Sequence, residues 1–285
     1  MKRLLLSFTL LAIVASVKAQ LAVPPLSPHG RVEQQIGFTT ITIDYHRPSA
    51  RGREIFGGLV PYGKRWKTGG GDCTKIKFSE PVVVEGRPLV PGTYSLYSVP
   101  GESQWTIILN RDTTGYYQEE NDVLRFQVNP YTTSRFFNAL TIDLDFIPEE
   151  AEVHINWAHT GVAFRIETDT DKRLTQLSDD QLGSQSQNPE FFALAAEYYL
   201  FRNDRLDRAL LLADRALSLE PRCWHHSLKV GILNKSGRYA ESLEVLKRSI
   251  AYDKGNPENW SKEQLDGVLN SHAAAMKELQ AKLQR

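Results

Sequence analysis

The chain has 285 residues, with 34 lysines and arginines against 34 aspartates and glutamates, and so no net formal charge. This balance argues against a general nucleic-acid binder, which normally carries a clear basic excess. The length allows one large or two ordinary domains. Two cysteines are too few for a disulfide framework, so a hydrophobic core must provide the stability.

The first residues have the pattern of an export signal. Lys2 and Arg3 precede a short apolar run over residues 4–17, and small residues predict cleavage after about Ala19. The run is shorter than the about 20 apolar residues that span a bilayer, and no later segment is apolar enough to do so. We therefore expect residues 1–19 to be a signal peptide, with no membrane insertion. The mature protein is expected in the periplasm or outside the cell.

Residues 25–168 show the pattern of a β-domain. Apolar and polar residues alternate in short runs, such as 41–45, 74–78, 105–109 and 153–157. Turn residues between such runs are typical of antiparallel sheets, and Glu85-Gly86 fits a two-residue hairpin turn. About ten candidate strands predict a jelly-roll-like antiparallel β-sandwich, with a closed barrel as the alternative.

A long segment, the 47–73 loop, separates two of these strands. Ordinary connections have about 4–6 residues, and this one is too apolar for a solvated linker, so we expect it to fold back onto the β-domain. Its basic groups could pair with carboxylate or phosphate, and its aromatic rings could support a sugar. The residues predicted to bind a glycan or an anionic ligand are Arg47, Arg53, Tyr62, Lys64, Arg65, Trp66 and Thr68, beside Lys67. The alternative is that Phe56, Tyr62 and Trp66 only pin the loop to the domain.

Two stretches of the β-domain resemble a family of bacterial exported proteins known as a domain of unknown function, DUF2911. The first contains DYHRP at residues 44–48, IFGGLVPYGK at 55–64 and WKTG at 66–69. The second contains PGTYSL at residues 91–96, PGE at 100–102 and WTII at 105–108. The resemblance implies an exported β-domain and, in members of this length, a helical C-terminal half. It implies no particular chemistry.

One pair of residues could support catalysis. Asp44 and His46 share a face of one predicted strand, and Ser49 or Thr68 could act as the nucleophile beside them. A hydrolase acting on glycan or peptide is therefore an alternative function, although no nucleophile elbow is present.

No metal or cofactor site is expected from neighbours in the sequence. His154 and His159 should point to opposite faces of a strand. His225 and His226 follow Cys223 closely, but adjacent helical positions diverge by about 100°, so they cannot both face the thiol. The glycines at 69–71 lack the ending of a phosphate-binding loop.

The pattern becomes helical in the C-terminal part. Residues 169–188 are polar and are interpreted as a linker carrying one short helix, opened by a capping box from Ser178 to Gln181. Residues 189–285 follow a helical period, with Asn188 and Pro189 as a helix start and a second capping box from Ser261 to Gln264. Small residues recur at spacings typical of tetratricopeptide-like repeats, namely Ala209, Ala216, Ser242 and Ser249.

These patterns together favour a non-catalytic, exported binding protein without a cofactor. Its β-domain would bind a ligand through the 47–73 loop, and its helical repeats would hold a protein partner. A periplasmic assembly or chaperone factor, in which only the helices matter, is the third hypothesis.

Overall fold

The structure is a computed structural model that describes residues 23–147 and 149–284. The predicted signal peptide lies outside the described residues. The chain divides after Thr168 into two compact units. Cys73 lies in the first and Cys223 in the second, and both are free thiols. Among the described residues, no helix is long and apolar enough to span a bilayer.

Within the described residues, the N-terminal unit consists of ten strands in two antiparallel sheets. The first sheet has the order β1-β2-β3-β6-β7-β8 and the second has the order β5-β4-β10-β9. A short 3₁₀ turn, Glu119–Asn121, precedes β8. The strands are β1 (His29–Ile36), β2 (Thr39–His46), β3 (Lys75–Phe78), β4 (Val82–Val84), β5 (Arg87–Leu89), β6 (Gly92–Val99), β7 (Trp105–Asn110), β8 (Asp122–Val128), β9 (Tyr131–Ile147) and β10 (Glu150–Thr168).

Alternation along the strands decides which side chains enter the core. In β2, Ile41, Ile43 and Tyr45 are buried, as expected for a strand whose successive side chains point to opposite faces. One apolar cluster contains residues from both sheets, including Ile43 of the first and Ile142 and Val153 of the second. The two sheets therefore share one core.

The hairpin between β4 and β5 confirms the expected turn. Val84 pairs with Arg87, and the two residues between them, Glu85 and Gly86, have φ values of 47° and 73°. Two consecutive positive φ angles are the mark of a type I′ turn, whose twist suits a hairpin.

The C-terminal unit is helical. Its six helices in the described residues are α1 (Thr170–Gly183), α2 (Pro189–Arg202), α3 (Leu206–Leu219), α4 (Cys223–Lys235), α5 (Tyr239–Gly255) and α6 (Lys262–Leu283). Two expected helix starts are confirmed. The Asn188 side chain accepts a hydrogen bond from Phe191 N at 3.1 Å, and Ser261 and Gln264 form a reciprocal capping box.

The predicted capping box at Ser178 is wrong. Ser178 is fully buried in the middle of α1, and its hydroxyl donates to Leu174 O four residues earlier at 2.7 Å. A serine in mid-helix satisfies its hydroxyl in this way instead of capping a helix. Helix α1 therefore occupies most of the segment that the sequence suggested was a linker with one short helix.

Candidate functional site

The 47–73 loop is hydrogen-bonded to both sheets through its backbone. Ala50 N donates to Asn138 O at 2.6 Å, and Leu140 N donates to Pro48 O at 3.0 Å, so the start of the loop pairs with β9 of the second sheet. Further along, Trp66 pairs with Ser98 on β6 of the first sheet by N···O distances of 2.7 and 2.9 Å. The loop therefore connects the two sheets and is an ordered part of the domain.

Phe56 anchors the middle of the loop in an aromatic cluster. Its ring makes edge-to-face contacts with Trp66, Trp105 and Trp157 at centroid distances of 6.0, 4.6 and 6.3 Å. Trp66 also stacks on Trp157, at 5.9 Å with a 21° angle between the planes. Such aromatic contacts add to the stabilisation from burial. The expectation that the loop folds back onto the domain is therefore confirmed.

A cavity of about 500 Å³ opens beside this aromatic cluster. Trp66 and Trp157 contribute to its wall with the apolar side chains of Leu26, Pro48 and Val60. The basic residues that line it are Arg51, Arg53, Lys64, Arg65 and Lys67. No acidic residue is among the described residues that line this cavity. The lining therefore combines positively charged side chains with aromatic and apolar ones.

The positively charged side chains at the cavity differ in how many contacts they make with the rest of the protein. Arg53 donates to Ala50 O and to the Ser49 carbonyl at 3.0 and 2.8 Å, which fixes its guanidinium group in the loop. Arg65 lies over the Tyr117 ring at 3.7 Å, a cation–π contact. Across residues 23–147 and 149–284, none of the five cavity cations forms an ion pair with a carboxylate. Their positive charges are therefore not neutralised by a carboxylate of the described residues.

Four of the seven predicted binding residues line the cavity, namely Arg53, Lys64, Arg65 and Trp66. Arg51 and Trp157 line it too and were missed. Arg51 could have been found, because it lies two residues from Arg53 in the same basic stretch. Trp157 could not have been found, because it lies far along the chain on β10, where the alternating pattern predicts a core residue.

Arg47 has a structural role. Its Nε donates to Leu140 O at 3.0 Å, and one terminal nitrogen donates to Thr141 Oγ1 at 3.1 Å. The side chain is half-buried and holds the start of the loop on β9. A ligand would have to displace these bonds to use it.

Thr68 and Tyr62 also lie away from the cavity lining. Thr68 is fully buried, and its hydroxyl shares a hydrogen bond with Ser98 Oγ at 2.8 Å. Tyr62 is 40% exposed, and its ring covers Gly57, where an added Cβ would lie 2.8 Å from a ring carbon. Gly57 also has a positive φ of 88°, which favours glycine there.

The acid–base pair considered for catalysis is arranged differently from a triad. The Asp44 carboxylate pairs with His29 Nε2 at 3.2 Å on the neighbouring strand. His46 meets the His29 ring edge-to-face at 5.6 Å. Thr68, one of the two nucleophiles considered, is committed to Ser98. This geometry gives no support to a nucleophilic mechanism.

Cys73, at the end of the loop, is a thiol packed in the interior. It is buried in a small cluster with Tyr97 and Ile108. Burial raises the pKa of Cys73, and burial also raises the pKa of Tyr97 well above its usual value. Both groups therefore stay neutral at physiological pH and contribute packing.

The fold and the site together define an antiparallel β-domain with a basic, aromatic-lined cavity built by one ordered loop. Residues 27–166 match the family model described as Protein of unknown function (DUF2911), so this part of the chain belongs to that family. Neither the curated proteins nor the solved structures gave a match. The family match ends before α1, so it does not describe the helical unit.

Proposed function

We propose that this protein is an exported, non-catalytic binding protein whose β-domain takes up a small organic anion, such as an acidic sugar, in the cavity of the 47–73 loop. The main support for this proposal is that five basic side chains line the cavity and no carboxylate is among the described lining residues. On ordinary protein surfaces cations are accompanied by acidic groups, and this chain as a whole has equal numbers of both. An unbalanced cluster in a concave site favours a negatively charged ligand.

The size and composition of the cavity suit a small molecule. A volume of about 500 Å³ lies within the range of about 300–1,000 Å³ that is usual for ligand pockets. The half-buried indole ring of Trp66, which stacks on the buried Trp157, offers apolar surface to a sugar or other ring, while its N–H is already bonded to Gly69 O at 3.0 Å. Lys64 and Arg51 would then supply charge to an acidic substituent.

Calorimetric titration of the mature chain with an acidic monosaccharide, its neutral parent sugar and inorganic phosphate tests this proposal. We expect the acidic sugar to bind at least about tenfold more tightly than the neutral one, because a hydrogen bond to a charged group contributes about 1.5–3 kcal/mol. Binding should weaken as the salt concentration rises from about 0.1 M to about 1 M, since screening shortens the Debye length from about 10 to about 3 Å.

Variants of the lining residues make the test specific to this cavity. Lys64→Ala and Arg51→Ala should each weaken binding of the acidic sugar about tenfold with little change in Tm. The matched control is Lys77→Ala, which removes an exposed cation of β3 outside the cavity and should change nothing. Equal binding of the acidic and neutral sugars, or no binding of any anion, would contradict the proposal.

We also propose the finer architecture that the sequence suggested for each unit. The shared core supports a sandwich arrangement of the two sheets. In the helical unit, the small residues expected at close helix contacts, Ala209, Ala216, Ser242 and Ser249, are all buried. This burial supports tetratricopeptide-like pairs formed by α2 with α3 and α4 with α5, which could hold a protein partner.

A further inference from the structure

Three helices of the C-terminal unit bring together a thiol, a carboxylate and an imidazole. Cys223 is the first residue of α4, Asp253 lies near the end of α5, and His272 lies in α6. One potential ligand atom from each lies within 4.8 Å of the other two. His272 Nδ1 is 3.7 Å from Asp253 Oδ2.

Asp253 is the unusual member of this cluster. Its side chain is fully buried, and neither carboxylate oxygen has a hydrogen-bond partner in the described part of the chain. It also lies in the last turn of α5, where the helix dipole disfavours a negative charge. A buried, unpaired carboxylate is costly unless a cation compensates it.

The imidazole of His272 also lacks a hydrogen-bond partner at Nδ1 in the described part of the chain. His272 Nδ1 is buried and makes no hydrogen bond, although it faces the carboxylate. Two buried polar groups thus face each other without a hydrogen bond, an arrangement that a bound cation would satisfy.

The donor set suits a zinc ion. Thiolate, imidazole and carboxylate are its usual ligands, with bonds of about 2.0–2.3 Å, so donors of a tetrahedral site lie about 3.5 Å apart. The distance of 3.7 Å between His272 and Asp253 matches this spacing. The charges also balance, because Zn²⁺ is neutralised by one thiolate and one carboxylate. The thiol proton would be released to solvent on binding.

Among the described residues, His226 is not one of the three clustered donors, although it lies three residues after Cys223 on the same side of α4. Its Nδ1 lies 3.0 Å from Arg222 O and must donate to that carbonyl. With three donors from the protein, the fourth position of a tetrahedral ion would be left for a water molecule.

We propose that Cys223, Asp253 and His272 bind a zinc ion that ties α4, α5 and α6 together. Nothing in the sequence indicated this site, because its three donors come from different helices and only neighbouring residues can be compared in a sequence. His225, which also follows Cys223 closely, is bonded through Nδ1 to Glu220 O at 2.7 Å.

Metal titration of the purified full-length mature chain tests this site directly. After removal of bound metal with a chelator, we expect one equivalent of Zn²⁺ to bind and to raise Tm. Co²⁺ in its place should give a thiolate-to-cobalt charge-transfer band in the near ultraviolet. Absence of stoichiometric binding of either ion by the wild-type chain would overturn the proposal, and would leave Asp253 and His272 as a plain buried pair.

Variants separate this site from adventitious binding. Cys223→Ser should abolish the charge-transfer band, and His272→Gln should weaken zinc binding at least about 100-fold, more than the loss of an outer partner usually costs. Asp253→Asn keeps the side-chain volume and should also lose affinity. The control His159→Gln removes an exposed histidine of the N-terminal unit and should leave affinity unchanged. Zinc that binds equally to Cys223→Ser and His272→Gln is bound elsewhere, and the proposal fails.

Discussion

Replacing Phe56 with alanine should unfold the N-terminal unit at a markedly lower temperature. The side chain is buried and contacts three tryptophans. A large aromatic side chain buries about 150–250 Å² at about 25 cal/mol per Å², which gives an upper figure of about 4–6 kcal/mol. Phenylalanine-to-alanine changes in protein cores cost about 3–5 kcal/mol. At about 2–4 °C per kcal/mol for a protein of this size, the expected fall in Tm is roughly 6–20 °C.

Calorimetry and near-ultraviolet circular dichroism would measure this fall, since the tryptophans report on the aromatic cluster. The control is Tyr62→Ala in the same loop, whose ring is 40% exposed and whose loss should cost no more than about 1 kcal/mol. Similar Tm values for Phe56→Ala and the wild type would show that the 47–73 loop is not part of the folded core. The anchoring described above would then be refuted.

Three further outcomes follow from the structure. Thr68→Val leaves the Ser98 hydroxyl without its partner in the core and should cost about 1–3 kcal/mol in chemical denaturation, whereas Thr68→Ser should cost much less; equal costs would contradict the role of this hydrogen bond. Asn188→Ala removes the cap of α2 and should lower the stability of the helical unit by about 1 kcal/mol, measured by its unfolding in urea; no change would argue against the cap. Because burial raises the pKa of Cys73, maleimide labelling followed by peptide mass spectrometry should detect modification of this thiol only after denaturant is added; rapid labelling of the native chain would contradict its burial.

Individual strands, turns and helix starts were the part of the fold that the pattern of neighbouring residues could predict. Strand β7 follows the alternation of residues 105–109, and the β4–β5 turn follows from Glu85 and Gly86 alone. Helix α1 was underestimated because its composition is polar. Its buried side is narrow, with Leu174 and Ser178 among few residues that face inward.

For the candidate site, the sequence could predict only that the 47–73 loop is rich in basic and aromatic residues. Arg47 is held on β9 by a hydrogen bond to Leu140, 93 residues away, and the buried Thr68 hydroxyl is paired with Ser98, 30 residues away. Nothing in the loop itself encodes these partners. The cluster around Asp253 could not be predicted from the sequence either. Its members come from three helices, so no spacing within one helix reveals it.

The hydrogen bonds that hold the 47–73 loop also determine when it can form during folding. Contacts between residues so distant in the chain carry a high entropic cost of loop closure and form slowly. Since synthesis delivers the N-terminal end first, Arg47 emerges long before the β9 residue to which it bonds. The cavity therefore cannot be complete before β9 has been synthesised. A chain shortened before β9 would keep every basic residue of the loop and lose the strand to which the start of the loop is bonded.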